Sequence, residues 1–332
     1  MSRPRLVIVT PALRGANNGN WQTAQRWARM LAADYRVALT EHWEGGDEAL
    51  MIALHARRSA ASMRAWREAD PAHAARPLLL VLTGTDLYQD ILVDDQARQS
   101  LALADRLVLL NECAPQALPE ALRAKARVCL QSAPALAAGP RPKTGRHLRA
   151  LMVGHLRAVK SPATYFEAAR LLADRPDIRL DHIGGALEGE WALQAQALMA
   201  AQPGYRWLGA LTHAATRRRI RAAHLLVHPS LLEGGAHVVI EAVRSGTPVL
   251  ASRIDGNLGL LGAGYPGVFE PGDAAELAAL LRRARDDATM LPALQRHCAR
   301  RAPLFAPERE RQVLRGLVAE LLHPDFPAGD PR

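Results

Sequence analysis

The 332-residue chain has only three cysteines, three lysines and 5% aromatic residues, and each shortage excludes something. Cys113, Cys129 and Cys298 lie far apart, in odd number and without ligand spacing. That excludes a disulfide scaffold and argues against a zinc site. No apolar run approaches the span of a bilayer; that over 78–82, for example, is only strand length. Met1-Ser2-Arg3-Pro4-Arg5, followed by Leu6-Val7-Ile8-Val9, lacks the longer apolar stretch and small-residue cleavage site of a secretion signal. A reduced, cytoplasmic protein is expected. No Asp-x-Asp triplet occurs, so the carboxylate pair that would hold a substrate-bound metal is missing, and chemistry without metal or cofactor is expected.

The net charge is +9, yet of 42 basic residues only Lys125, Lys143 and Lys160 are lysine. The arginines are spread evenly, and together with abundant alanine they read as GC-rich codon usage. The densest run, Arg217-Arg218-Arg219 with Arg221, is expected to be the wet face of one helix. Aromatics do not interleave with basic residues as a stacking platform requires, so neither nucleic acid nor membrane is expected as a partner. A basic cleft for a phosphorylated small molecule fits the same charge.

Apolar residues make up 49% of the chain, enough for two cores at this length. Short β-rich runs alternate with helix-period segments throughout, which predicts parallel sheets with crossover helices. Strands are expected at 5–10, 35–40, 50–54, 78–82, 106–110 and 127–130, with helices at 21–33 and 59–68. Residues 132–147 are rich in Pro, Ala and Gly and read as the linker. Beyond it come strands at 149–153, 178–183, 205–208, 224–228 and 248–251. Helices are expected at 162–173, 187–201, 212–222, 236–245, 274–285, 291–300 and 307–322. The expected domains are 1–135, a linker over 136–147, then 148–305, with 306–325 a helix crossing back to the first domain. Two doubly wound halves would place a ligand crevice between them, at strand C-terminal ends.

The most informative stretch runs from Ser230 to Ala242. Gly234 and Gly235, with Ala236, let backbone approach a ligand, and the free N–H groups of the following helix face an anion. Glu233 and Glu241 are strong acceptors suited to sugar hydroxyls; equally, they are a first-turn acid and a solvated helix acid around a plain loop. Asn17-Asn18-Gly19-Asn20 lies between a strand and a helix and can wrap a phosphate or sugar, or be a turn with Asn20 as helix cap. Two further post-strand loops carry His55, Arg57 and Arg58, and Thr83, Gly84, Thr85 and Asp86. His55 is a candidate base and the arginines are anion grips, although each alone also fits a structural role. Gly262-Ala263-Gly264-Tyr265-Pro266-Gly267 matches a dinucleotide fingerprint by letters only, because Pro266 spoils the turn. His224 and His228, on a strand, do not converge as metal ligands.

Glu233 and Glu241, separated by seven residues and followed by Ser245-Gly246-Thr247-Pro248-Val249, resemble the E-x7-E signature of glycosyltransferase family 4. The resemblance covers the second half and implies the GT-B fold: two Rossmann-like α/β domains facing a central cleft. It implies that Glu233 binds the donor sugar, Glu241 the nucleotide ribose, and the amides of Gly234, Gly235 and Ala236 the diphosphate. Gly154-His155-Leu156-Arg157-Ala158-Val159-Lys160 is similar to the family's G-R-L…K segment, with Lys160 in place, His155 where arginine is usual, and Arg157 as its replacement. Cations there would neutralise the departing diphosphate.

The first half resembles a narrower branch, the selenosugar synthases of selenoneine biosynthesis. The segments that carry it are Thr10-Pro11-Ala12 with 17–24, Leu54-His55-Ala56-Arg57-Arg58-Ser59, and Leu82-Thr83-Gly84-Thr85-Asp86-Leu87-Tyr88. This implies transfer of a hexosamine, N-acetylglucosamine, from UDP to selenophosphate. Glu233, Lys160, Arg157 and His55 are the expected catalytic residues. Gly19 and Gly154 join the donor site, and Asn18, Asn20, Arg57, Arg58, Thr83 and Thr85 form the acceptor site. A family 4 enzyme with an organic hydroxyl acceptor and a non-catalytic nucleotide-sugar-binding module are the alternatives.

Overall fold

The computed structural model describes residues 3–13, 19–69, 71–136, 145–187 and 189–323. The chain divides into two compact units, Met1–Gln131 with Pro307–Arg332, and Ser132–Ala306. Most of the expected linker, residues 137–144, lies outside the described residues. The first unit runs β1 (Arg5–Val9), α1 (Gly19–Leu31), β2 (Arg36–Thr40), β3 (Leu50–Leu54), α2 (Ala60–Glu68), α3 (Pro71–Ala74) and β4 (Leu78–Leu82). It continues with α4 (Ile91–Val93), α5 (Asp95–Leu103), β5 (Arg106–Leu109) and β6 (Ala126–Val128). The second unit runs β7 (Leu148–Val153), α6 (Pro162–Leu171), β8 (Ile178–Ile183), α7 (Gly189–Ala201), β9 (Tyr205–Trp207), α8 (His213–Ala222) and β10 (Leu225–His228). It ends with α9 (His237–Arg244), β11 (Val249–Ser252), α10 (Asp255–Leu261), β12 (Val268–Phe269), α11 (Ala274–Asp286) and α12 (Met290–Arg301); α13 (Pro307–Leu322) then rejoins the first unit.

Each unit is built on a six-stranded sheet, β2-β1-β3-β4-β5-β6 and β12-β11-β10-β7-β8-β9, parallel throughout. Strands covered on both faces should be apolar without alternation, and β3 (LMIAL) and β4 (LLLVL) are buried at every position. The fold is the α/β GT-B class that the alternation and the E-x7-E segment predict. Five labelled elements escape the sequence pattern: the very short α3 and α4, and α5, α10 and β12. α5 is short and capped by the Asp94 carboxylate, which accepts from the Ala97 N–H. α10 carries Gly256, Asn257 and Gly259, and β12 has only two residues.

The last helix is tied to the first unit by one buried charge. Leu314, Leu317 and Val318 of α13 pack with Trp27 and Leu31 of α1. Glu310, 1% exposed, accepts from the Trp27 indole N–H at 2.7 Å and from Arg26 Nε at 3.0 Å. Removing the carboxylate strands both donors, so Glu310→Ala is expected to cost about 3–5 kcal/mol in urea unfolding. A cost under about 1 kcal/mol would show that α13 docks without help from this buried cluster.

Candidate active site

In the second sheet the strand order reverses between β7 and β10, the kind of switch point beside which α/β sheets bind ligands at strand C-terminal ends. β7 delivers Gly154 to Lys160; β10 ends on His228 and delivers Glu233. The Leu231 N–H donates to the Val159 carbonyl at 2.9 Å, joining the two loops. There the Lys160 ammonium donates to Glu233 Oε1, and His228 Nε2 stands 3.3 Å from the same oxygen. Burial pushes the Glu233 carboxyl up, but Lys160 and His228 outweigh it and hold the group well below the usual carboxylate range.

Two glycines that the sequence reading passed over make this packing possible. A Cβ on Gly256 would sit 2.1 Å from the Glu233 carbonyl oxygen, and one on Gly184, at φ 158°, would sit 1.8 Å from that of Gly154. Ser161, which follows Lys160, is left-handed at φ 49° and turns the chain into α6. Gly154 lies against the Lys160 stem. Arg157 is exposed and has no ion pair among the described residues, whereas His155 Nδ1 accepts from the Gly185 N–H at 3.2 Å. Of the two, Arg157 is the free cation. Gly234, Gly235 and Ala236 lead into α9, whose cap residue Ala236 supplies no side-chain bond.

Glu241, 4% exposed on α9, gathers two histidines and an arginine. His213 Nε2 bonds its Oε1, His237 Nδ1 lies 3.4 Å away and Arg217 Nε 3.8 Å away. Burial again raises the carboxyl, and the bonds from His213 and His237 overturn this and bring it down to about 2. The expectation that 217–219 is a wet face is corrected at its first residue. Arg218 and Arg219 are exposed, but Arg217 is 7% exposed because it turns inward to Glu241 and the Pro134 carbonyl.

The first sheet reverses between β1 and β3. Asn18 and the rest of 14–18 lie outside the described residues. Gly19 opens α1, so Asn20 lies in its first turn and is not its cap, and the Gly19 carbonyl accepts from the Thr23 hydroxyl. Past β3, His55 adopts φ 76° and is 3% exposed. Its Nε2 is 3.3 Å from Thr85 Oγ1 and 3.8 Å from Asp90 Oδ2, which also faces Arg57 Nε at 3.3 Å. Arg58 is exposed. Asp86 ties the loops together, accepting from the backbone N–H groups of Thr83 and Gly84 at 2.8 Å and of Ala56 at 3.0 Å; the Thr83 hydroxyl also faces it, at 3.4 Å. Burial, helped by Arg58 and Arg57, lowers the His55 pKa against the pull of Asp86 and Asp90.

Two clusters therefore stand at two switch points, and the deciding comparison concerns the second. Residues 140–304 match the family model of glycosyl transferases group 1. Over those residues, just under half of its length, the chain is similar to that family. Among sequence relatives, D-inositol 3-phosphate glycosyltransferase of Streptomyces avermitilis is 31% identical over 166 residues, 47% of this chain and 36% of its own length. That of Geodermatophilus obscurus is 34% identical over 143 residues, 40% and 32%. The chain thus spans about a third of the curated relatives it matches. Solved structures extend the likeness over both sheets. Sucrose-phosphate synthase from Thermosynechococcus elongatus has a TM-score of 0.78 at 18% identity, covering 97% of this chain and 100% of that one. HepE of Anabaena, in complex with UDP and glucose, has 0.75 at 16%, covering 96% and 100%.

In the second unit, Glu233 and Glu241 stood out by the glycine-rich turn and helix start together with the family resemblance, and Lys160 by the resemblance of 154–160. The partners His213 and His237, and Asp90 in the first unit, were missed; His228 was read only as a histidine that does not join a metal site, and Asp86 only as part of its loop. His237 and Asp90 lie inside or beside the quoted segments, whereas nothing in the sequence links His213 to Glu241 before the helices pack.

Glu241 raises the His213 pKa, so this pair's contribution is full below the ordinary histidine value of 6.5 and is lost as pH rises through the elevated one. Glu241's own contribution holds above 4.5 and fades as pH falls towards about 2. NMR titration should place the His213 midpoint above 6.5 and move it down in Glu241→Gln. A midpoint that Glu241→Gln leaves unchanged would dissolve the pair.

Proposed function

We propose that this protein is a UDP-sugar-dependent glycosyltransferase that transfers N-acetylglucosamine to selenophosphate. The observation that carries the donor half is the meeting of Lys160, Glu233 and His228 at the β7/β10 switch point. Lys160 and Arg157 are assigned to the diphosphate, where negative charge grows as the glycosidic C–O bond breaks and UDP leaves with the electron pair. Glu233 takes hydroxyls of the sugar, Glu241 those of the ribose, and the Gly234–Gly235–Ala236 amides take phosphate oxygen. Support for a uridine nucleotide comes from structural relatives: HepE is described with UDP and glucose, and the pneumococcal O-GlcNAc transferase GtfA (TM-score 0.66, 16% identity, 82% of this chain and 57% of that one) with UDP and GlcNAc.

The acceptor half rests on the first-unit segments and their resemblance to selenosugar synthases. Selenophosphate is anionic near neutral pH, and its selenium is a soft nucleophile that forms the C–Se bond without first losing a proton. Such an acceptor needs orientation and charge balance, which Arg57, Arg58, Asn18, Asn20, Thr83 and Thr85 are assigned to supply. A second reading, an organic hydroxyl acceptor, is favoured by the buried His55, a candidate base whose Nε2 faces Thr85 Oγ1 at 3.3 Å and Asp90 Oδ2 at 3.8 Å.

Incubation with UDP-N-acetylglucosamine, with and without selenophosphate, tests the reading by release of UDP. Release that does not depend on selenophosphate would overturn it. Lys160→Ala is expected to lower turnover about tenfold or more, a loss of about 1.4 kcal/mol in the barrier difference. Joint replacement of Arg57 and Arg58 by alanine should raise the selenophosphate KM far more than the donor KM. His55→Ala should keep a substantial rate; its complete inactivity, with folding and UDP binding intact, would favour the hydroxyl acceptor.

A further inference from the structure

We propose that His228 is a positioning residue that holds Glu233 when Lys160 turns to the diphosphate, and so makes Lys160 available to the nucleotide. The inference rests on the donor assignment above and concerns how the charges around Glu233 are shared. Glu233 has 11% of its side chain exposed and Lys160 20%, and the two are bonded to each other. The same ammonium cannot hold the carboxylate and grip a phosphate at full strength. If Lys160 were the only partner, every nucleotide that bound would strand a buried carboxylate, and that penalty would be charged against binding.

His228 is placed to remove the penalty. It closes β10, is 2% exposed, and its Nε2 is 3.3 Å from the Glu233 oxygen that Lys160 also holds. That buried nitrogen has no aligned hydrogen-bond partner among the described residues. A small closing movement of the carboxylate completes a bond from His228 as Lys160 departs. Glu233 has little freedom to go elsewhere: its carbonyl is pressed against Gly256, and the loop is tied by the Ser252 hydroxyl bonding the Ser230 carbonyl. His224, four residues earlier, is occupied otherwise, its Nδ1 accepting from the Arg149 N–H at 2.9 Å. The two histidines thus have separate tasks.

The role makes the effect of His228 conditional on Lys160, which a thermodynamic cycle reads without any acceptor. UDP binding is measured by calorimetry for His228→Gln and His228→Asn, each with Lys160 and with Lys160→Ala. A glutamine amide nitrogen reaches about where Nε2 stands, whereas the asparagine amide stops near Nδ1. With Lys160 present, His228→Asn is expected to weaken UDP about tenfold and His228→Gln by less than about threefold. In Lys160→Ala, where no ammonium has to be released, His228→Asn should change UDP affinity by less than about twofold. Equal weakening in both backgrounds marks a merely structural histidine and overturns the proposal, as does Asn binding as tightly as Gln. Failure of the unsubstituted protein to bind UDP overturns the donor assignment itself, a separate result. The Gln/Asn comparison keeps the outcome independent of folding, since both variants are polar and of similar size and thermal melts report any common loss.

Discussion

A carboxylate that has surrendered most of its water stays charged only while a donor stands against it. Glu233 meets that condition with one partner from each side of a strand reversal, Lys160 from the loop after β7 and His228 from the end of β10. Much of the second unit can be understood as what is needed to keep these three atoms together. The strands must be neighbours and parallel, so that both chains leave the sheet at the same edge. The loops must be joined, as Leu231 joins Val159, and backbone must come close enough that a methyl group at 256 or 184 would collide with a carbonyl. The Glu241 cluster repeats the logic one helix away, with His213, His237 and Arg217 offsetting a second buried acid.

Conformational strain is distributed in the same way. Among the described residues, His55 and Ser161 are the non-glycine residues with positive φ. Each costs about 1–3 kcal/mol, and such residues persist only where surrounding contacts over-determine them. His55 follows β3 and is held by its own N–H on the Val81 carbonyl and by Asp86, which clamps Ala56, Thr83 and Gly84. Ser161 follows Lys160, and its hydroxyl pairs with Thr164 at 2.7 Å. In both units, then, the strained residue sits between a strand and the next helix, His55 directly after β3 and Ser161 directly before α6, beside candidate site residues.

How far this could be read from the amino-acid order depends on how local each feature is. Every strand but β12 announces itself by an apolar run, and α13 by its period, because burial writes a regular pattern. α5 and α10 do not: one is short, and the other is rich in glycine and asparagine at positions where close packing outweighs helix propensity. Glu233, Glu241 and Lys160 stood out because a glycine-rich turn and a helix start mark the first two, and scarcity the third. His213 and His228 could not be distinguished from structural histidines, since their meaning lies in carboxylates 28 and 5 residues away in the chain that only packing brings near. Arg217 misled for the same reason: its neighbours are solvated, and its own direction is decided by where Glu241 lies.

The identity of the cation at 160 then acquires a physical reason. In a chain with 42 basic residues, three of them lysine, arginine would be the default choice. An arginine facing Glu233 could make two parallel bonds in a planar fork, a geometry that favours staying. An ammonium is a compact charge with three rotatable donors on a flexible stem, and it can trade a carboxylate for a phosphate by torsion alone. Lys125, by contrast, is spent on two backbone carbonyls, Ala102 and Ala104. A residue that must stabilise the empty site and then leave its partner for a ligand needs a bond that is strong but undemanding in direction. Lysine satisfies that requirement at 160, and the imidazole at 228, reaching the same carboxylate oxygen from the neighbouring strand, makes its departure tolerable.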